Sequence, residues 1–259
     1  MNFAWQGFQS DIPDDWAPAV LSGNRSEGYL RLASPDVLSI QVRWRKSSRD
    51  TPRESDLTAY LAKLEKDSKR SKHTFRSSVQ AIGDEFRYSW TGNGNGSGGF
   101  FHIGKRAFIV EAFATTNRST QGVFQRFRSS FEQSEGETER WQLLGLAIQI
   151  PTGAELFRNI LQSGRTRLEF TAPRTSILAE RWGFGAQIVA RHSLSQWARE
   201  TAEMKLATVT DVEQGIHLQQ TGLKAAEALV KFDQVSNHIR LLKVSSHQDR
   251  WKPQWDWLI

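Results

Sequence analysis

The most recognisable spacing of chemistry-bearing residues is in the tract TGNGNGSGGF, residues 91–100. Gly94, Gly96 and Gly99 formally match the GxGxxG pattern of dinucleotide-binding loops. Such a loop holds phosphate only where it opens a helix whose N-terminus faces the anion. The residues that follow, FFHIG, are typical of a strand instead. The tract is therefore predicted to be a flexible hairpin loop without a phosphate site.

The other residue types that could do chemistry show no motif either. The spacing of the histidines gives no HxH or HExxH pair for a metal, and there is no GxSxG elbow to support a catalytic serine, although a triad assembled from distant positions stays open. The chain has no cysteine, which excludes thiolate metal sites, thiol nucleophiles and disulfides. We expect no catalytic residues, no metal ligands and no cofactor. The histidines are His73, His102, His192, His217, His238 and His247.

A basic stretch between Arg43 and Arg76 is the strongest charge feature. It contains eleven Lys or Arg and five Asp or Glu, and the surplus of six equals the net charge of the whole chain, +6. Such a surface attracts phosphate, anionic lipid or an acidic protein surface. The alternative is an ordinary solvated helix face with a basic loop. The partner-binding residues predicted here are Arg43, Arg45, Lys46, Lys69, Arg70 and Lys72.

The C-terminal sequence WKPQWDWLI is unusually aromatic. Trp251, Trp255 and Trp257 must be buried somewhere, because exposed apolar patches of this size mark interaction sites. Either they anchor a partner protein, or they fold back over their own sheet. We include these three tryptophans among the candidate partner-binding residues.

The compartment is predicted from features that the sequence lacks. The first residues, MNFAWQGFQSDIPDDW, contain no basic segment followed by an apolar one, so we expect no signal peptide. No apolar run approaches the roughly 20 residues that span a bilayer. Together with the absence of cysteine, this predicts a cytoplasmic protein without a transmembrane segment.

The elements that position these residues are repeated along the chain. Ile12-Pro13 and Ile150-Pro151, Pro35 and Pro173, and Arg43-Trp44 and Arg181-Trp182 all stand 138 residues apart. The halves meet in QSEGETE, residues 133–139, which is acidic, free of apolar residues and typical of a linker. We therefore predict tandem domains at 1–134 and 139–259, with a linker at 135–138.

Each half alternates strand patterns with one amphipathic helix. In the first half, strands at 29–33 and 37–44 are followed by a helix with Thr51 as its cap and an apolar stripe from Leu57 to Leu64. Strands follow at 86–91, 100–103 and 106–115, and FQRFRSSF closes the half as a helix. In the second half, Ser193 caps the helix, and strands follow at 216–220, 225–232 and 238–244. Pro253 interrupts the second closing helix, so we expect that helix to be lost.

This layout resembles the PsbP-like family, which includes an extrinsic photosystem II protein and a Ran-binding nuclear import factor. The residues that carry the resemblance are Ile12-Pro13 with Trp16, the paired strands ending in Arg43-Trp44, the amphipathic helix and the closing FQRFRSSF. The match covers most of the first half and, more loosely, the second. It implies an α+β fold of two tandem antiparallel-sheet domains, each covered by helices, with the second copy degenerate.

The resemblance implies a non-enzymatic accessory or adaptor protein that docks onto a partner protein or a larger complex. It supplies no catalytic residues. The alternative is a binder of nucleic acid or an anionic membrane surface that uses the same basic stretch, since phosphate contacts and aromatic stacking can combine in such sites.

Overall fold

The computed structural model describes residues 1–213, 215–222 and 225–246. It divides the chain into two compact units, Met1–Gln133 and Ser134–Ile259. The division falls beside the acidic stretch that was predicted to be the linker, residues 135–138.

The first unit consists of ten strands and two helices. Its strands are β1 (Asn2–Trp5), β2 (Phe8–Asp11), β3 (Ala17–Gly23), β4 (Glu27–Ala33), β5 (Leu38–Lys46), β6 (Arg76–Ile82), β7 (Glu85–Gly92), β8 (Gly94–Ile103), β9 (Arg106–Ala114) and β10 (Glu132–Gln133). Its helices are α1 (Glu54–Arg70) and α2 (Gln121–Ser129). Seven strands form one antiparallel sheet in the order β3-β4-β5-β9-β8-β7-β6, while β2 pairs with β1 and with β10.

The second unit, in its described residues, repeats this plan. Its strands are β11 (Thr138–Leu143), β12 (Leu146–Pro151), β13 (Glu155–Gln162), β14 (Arg165–Ala172), β15 (Thr175–Trp182), β16 (Thr208–Val212), β17 (Gly215–Gln220), β18 (Ala225–Asp233) and β19 (His238–Ser246). Its helices are α3 (Gly185–Arg191) and α4 (Leu194–Thr201). The sheet order is β13-β14-β15-β19-β18-β17-β16, which is the order of the first sheet strand for strand. The repeated phrases therefore mark a repeated topology.

The predicted fold class is wrong. Strands make up 53% of the structure and helices 17%, so the protein is mainly β and not an α+β fold with helices covering its sheets. The edge strands β3, β6, β13 and β16 were not predicted, because exposed edges carry little of the alternation that identifies a half-buried strand. The hairpins β1–β2 and β11–β12, which form a second layer of strands, were not predicted either. The predicted closing segment of the second unit, including Pro253, lies outside the described residues.

The glycine tract is also a strand and not a flexible loop. Gly92 pairs with Gly94 at a tight turn, and β8 then runs antiparallel to β7. A Cβ atom on Gly96 would lie 2.3 Å from Nε1 of Trp90, and one on Gly98 would lie 2.4 Å from Cζ of Tyr88. The glycines are therefore needed because aromatic rings of β7 lie across β8.

The opening hairpins keep the repeat spacing. The turn of the first has Gln6 and Gly7 at φ 51° and 75°, and the turn of the second has Leu144 and Gly145 at 48° and 75°. Two successive left-handed residues match the twist of antiparallel strands. The turn residues of the two hairpins stand 138 positions apart, like the prolines that follow each hairpin.

The register changes by one residue in the third strand of the sheet. Leu30 pairs with Val42, but Leu168, its counterpart 138 residues on, pairs with Ala179 rather than with residue 180. The cause is the preceding turn: Ala33 pairs with Ser39 across five residues, whereas its counterpart Thr171 pairs with Ser176 across four. Because side chains alternate along a strand, a slip of one residue moves every side chain to the other face.

The two Arg-Trp pairs consequently point to opposite faces of their sheets. Trp44 contacts Phe8 of β2 at 5.4 Å between ring centroids, on the face away from α1. Trp182 contacts Trp197 of α4 at 5.7 Å, on the helix face. Both tryptophans pack against aromatic rings, but they are not equivalent in three dimensions.

The predictions for the apolar stripe of α1 and the cap of α4 are confirmed, and the prediction for the cap of α1 is wrong. Leu57 and Leu61 are buried on the inner side of α1, as the apolar stripe predicted. The predicted cap at Thr51 is wrong, since α1 begins at Glu54 after Arg53 and has no side-chain cap. Ser193 does cap α4: its Oγ accepts a hydrogen bond of 3.2 Å from the backbone N–H of Gln196. None of the helices in the described residues combines the length and the apolar composition that a membrane span requires.

Candidate functional site

The outward side of α1 carries a row of cations. Leu57 and Leu61 hold the inner side of the helix on the sheet. Lys63, Lys66 and Arg70 lie at i, i+3 and i+7, and all three are exposed. We call these three residues the basic face.

Of the predicted partner-binding residues, Lys69, Arg70 and Lys72 belong to this end of α1. Lys69 forms an ion pair of 2.7 Å with Glu65, and Arg70 lies 3.6 Å from Asp67. Lys72 has φ 60° and donates its backbone N–H to the Lys69 carbonyl at 3.0 Å, so its backbone ends the helix. In the described part of the chain, no ion pair involves Lys63 or Lys66.

Two of the three predicted residues on β5 make structural contacts. The Arg43 guanidinium lies 4.5 Å from the centroid of the Tyr29 ring. Arg45 lies 3.5 Å from Asp56 of α1. Lys46 is exposed, one position further on and therefore on the opposite face of the strand. The structure thus does not bring these three side chains together, and Trp251, Trp255 and Trp257 lie outside the described residues.

A buried carboxylate lies between α1 and the sheet. Glu111 of β9 is 0% exposed. Its Oε1 accepts a hydrogen bond of 2.5 Å from Nε2 of Gln41, and its Oε2 accepts from Tyr60 at 3.2 Å, Tyr88 at 3.0 Å and Nε1 of Trp90 at 2.9 Å. Burial raises the pKa of this carboxyl, and the four donors oppose that rise. Burial and the nearby carboxylate raise the pKa values of Tyr60 and Tyr88 as well.

These hydrogen bonds make Glu111 a structural tie between elements. Tyr60 reaches it from α1, Gln41 from β5 and the other two donors from β7, so one side chain joins three elements. The second unit also buries a glutamate on its helix face. Glu180 is 0% exposed and is bound by Arg165 at 2.7 Å, Arg167 at 2.8 Å and Nε1 of Trp182 at 2.6 Å.

A groove runs along the first sheet between α2 and the β6–β7 hairpin. Cavities of about 500 Å³ and about 220 Å³ follow one another along it. We call it the α2 groove. Side chains that line both cavities are Ile82, Arg87, Phe124 and Gln125.

Three charged groups are fixed at this groove. Glu85 is buried, and its Oε1 accepts from Nε of Arg87 at 2.5 Å. Its Oε2 accepts from Nε of Arg128 at 2.9 Å and lies 2.8 Å from Nη2 of the same guanidinium. Arg128 also stacks at 4.1 Å on the ring of Phe101. Two guanidinium groups thus share one buried carboxylate, and Asp84, which also lines the larger cavity, balances the second positive charge.

The second unit has a polar cavity on its helix face. It comprises volumes of about 580 Å³ and about 290 Å³, which share Thr171, Ser176, Glu203, Lys243 and Ser245. Nζ of Lys243 donates a hydrogen bond of 2.6 Å to the carbonyl of Ala202, just beyond the end of α4. Burial lowers the pKa of Lys243, and Arg167 adds to this effect while Glu203 opposes it.

Little in the sequence points to these sites. The alternation of Tyr88 and Trp90 in β7 indicates a buried polar partner, since buried hydroxyl and indole groups need acceptors. Nothing in the sequence singles out Arg87 or Arg128 from the other basic residues. Among the described residues, no group of three His, Asp or Glu side chains could hold a metal ion.

Comparison of the chain with known protein families and with curated proteins found no match. The resemblance to the PsbP-like family therefore stays a prediction.

Proposed function

We propose that this protein is a non-catalytic accessory protein that docks onto a partner protein through the basic face of α1. The charge of the chain supports this. Residues 1–133 contain nineteen Lys or Arg and fourteen Asp or Glu, whereas residues 134–259 contain fifteen and fourteen. Five of the six excess positive charges therefore lie in the first unit, which includes the row on α1.

The observation that carries the proposal is the rigid presentation of Lys63, Lys66 and Arg70. Leu57 and Leu61 bury the inner side of the helix, and the Tyr60–Glu111 hydrogen bond fixes its rotation on the sheet. Cations on a fixed helix lose less conformational freedom on binding than cations on a loop. Complementary charge would then speed the encounter and select an acidic partner.

The pattern of charge favours a protein over a uniform polyanion. Glu65 and Asp67 lie between the lysines of α1, and both would repel a continuous row of phosphates. A protein surface can present its acidic groups with gaps that match. Binding of nucleic acid or an anionic membrane surface is the competing outcome of the test. We also propose the cytoplasm as the compartment, supported by the absence of cysteine.

The test is photo-crosslinking from the basic face in the native cell. A photoreactive amino acid replaces the exposed Ala62, next to Lys63. We expect a protein adduct of defined mass. It should disappear in the triple variant Lys63→Glu/Lys66→Glu/Arg70→Glu, because the reversed charges repel an acidic partner.

The matched control reverses three exposed cations of the second unit, Arg158→Glu/Arg191→Glu/Lys205→Glu. The adduct should persist there, since the total charge is the same and only its location differs. An adduct with nucleic acid, together with steeply salt-dependent retention on DNA that the first triple variant abolishes, would replace the proposal with the alternative. A protein adduct unaffected by the first triple variant would refute the role of the basic face.

A further inference from the structure

Strand β6 is an unusually open edge of the first sheet. All seven of its residues, Arg76–Ile82, are exposed, and they pair with β7 in unbroken register. An edge strand presents unpaired backbone N–H and C=O groups, which can pair with another extended chain. Apart from Arg76 at its start, β6 has no charged residue, and it has no proline.

The other edge strands of the two seven-stranded sheets carry features that discourage such pairing. Strand β3 contains Pro18 and a register shift. Strand β13 has a register shift and the charged residues Glu155 and Arg158. Strand β16 has only five residues and includes Asp211. Charges, prolines, bulges and short length are the usual protections of a sheet edge, and β6 lacks all of them except the terminal Arg76.

A fixed arginine lies beside this open edge. Nε of Arg87 is held by Glu85, and its side chain is 40% exposed. In the described residues no hydrogen bond or ion pair involves its two Nη atoms. A guanidinium held through Nε presents both Nη groups in the geometry that suits a carboxylate.

The open edge and the arginine are close enough to serve one ligand. Arg87 pairs directly with Gln80 of β6. The side chains of Ser78, Gln80 and Ile82 line the α2 groove. Neighbouring strands lie about 4.8 Å apart, so a chain added beside β6 would run about 10 Å from β7. The side chain of Arg87 and that of an Asp or Glu on the added chain together span that distance across Gln80.

We propose that β6 receives an extended segment of a partner protein as an eighth strand, and that Arg87 binds a carboxylate side chain of that segment from the α2 groove. A second copy of this chain fits less well, because β6 contains no acidic residue to reach Arg87. This surface is separate from the basic face on α1, so it stands whether or not the basic face docks.

The test uses a displayed library of random nonapeptides selected on the full-length protein. We expect the selected peptides to combine β-branched residues with an Asp or Glu at one fixed position. Fluorescence anisotropy of these peptides should show at least tenfold weaker binding to Arg87→Gln, because the carboxylate loses its partner. Arg118→Gln is the matched control, since Arg118 is an exposed arginine paired with Asp36.

A second variant tests the backbone pairing. The pair Ile82–Glu85 closes a two-residue turn and is hydrogen-bonded, so by alternation Val79 directs its N–H away from β7. Val79→Pro should therefore leave the sheet intact and abolish peptide binding. In the wild-type protein, amide exchange at residues 77, 79 and 81 should slow when peptide is added, which requires no variant.

The proposal is refuted by selected peptides without an acidic position, by equal binding to Arg87→Gln, or by unchanged amide exchange in β6. A concentration-dependent dimer that Val79→Pro abolishes would assign the edge to a second copy instead. The triple variant of the basic face should bind the peptides normally, which separates this result from a failure of the proposed function.

Discussion

Buried carboxylates in the two units are satisfied in different ways. Glu111 is surrounded by neutral donors, from Gln41, two tyrosines and Trp90. Glu180 is bound by two arginines and an indole. A buried carboxylate with only neutral partners keeps more of its desolvation cost than one beside a cation. The pKa of Glu111 is accordingly raised.

The raised pKa predicts how stability depends on pH. The folded chain holds the Glu111 proton more tightly than the unfolded chain, and this difference adds to the free energy of unfolding. The added stability is complete below the usual pKa of 4.5, and it is lost as the pH rises through the pKa of the folded chain. Glu111→Gln cannot ionise. We expect the wild-type protein to lose free energy of unfolding relative to this variant as the pH is raised from about 4 to about 8. Urea unfolding followed by tryptophan fluorescence measures both curves.

The control for this prediction is Glu137→Gln, at an exposed carboxylate. Its free energy of unfolding should follow that of the wild-type protein across the same pH range. If the wild-type and Glu111→Gln curves also run parallel, the carboxyl of Glu111 titrates alike in the folded and unfolded chains and the argument from burial is wrong.

Among the elements, β8 shows how one strand depends on its neighbour. Its glycines lie under the rings of Tyr88 and Trp90, which in turn donate to Glu111. Glycine weakens an isolated strand, but here it allows the aromatic side chains of β7 to reach the buried carboxylate. The glycines of β8 are therefore required by the hydrogen bonds that Tyr88 and Trp90 make with Glu111.

Substituting Gly98 tests this dependence. The added methyl group of Gly98→Ala would lie 2.4 Å from Cζ of Tyr88 and 2.6 Å from the Val110 carbonyl oxygen. Because backbone cannot move aside as a side-chain tip can, we expect a loss of about 1–3 kcal/mol in the free energy of unfolding. Chemical denaturation gives the value.

The matched substitution is Gly122→Ala in α2, where a Cβ atom meets nothing within 4 Å. It should stabilise the protein by about 0.5–1 kcal/mol, because alanine favours the helix over glycine. Equal effects of the two substitutions would show that the crowding around Gly98 is relieved without cost.

For the whole molecule, the repeat is one of strand order more than of side chains. In each seven-stranded sheet, the first three strands along the chain fill the sheet from one edge, and the last four fill it from the other edge. Helices lie in the chain between these two groups of strands. The charge does not repeat, since five of the six excess positive charges lie in residues 1–133. The first unit also carries both surfaces proposed for docking.

Limited proteolysis tests the division of the chain. Glu135 and Glu137 are exposed and lie between the end of β10 and the start of β11. A protease specific for glutamate should make its first cut there and release two fragments of nearly equal size, identified by mass spectrometry. Glu135→Gln/Glu137→Gln should suppress this cut. A first cut inside either unit of the wild-type protein would contradict the division.

From local spacing and charge, the sequence predicts the repeat, the strands around Arg43-Trp44, the Ser193 cap and the basic α1. It could not show that Trp44 and Trp182 face opposite sides, since that depends on how many residues separate paired strands in the preceding turn. Nor could it show the tie at Glu111, the α2 groove with Arg87, or the open edge of β6. These arise only when strands distant in the chain become neighbours, and tertiary pairing alone decides which polar groups are buried together and which edge stays free.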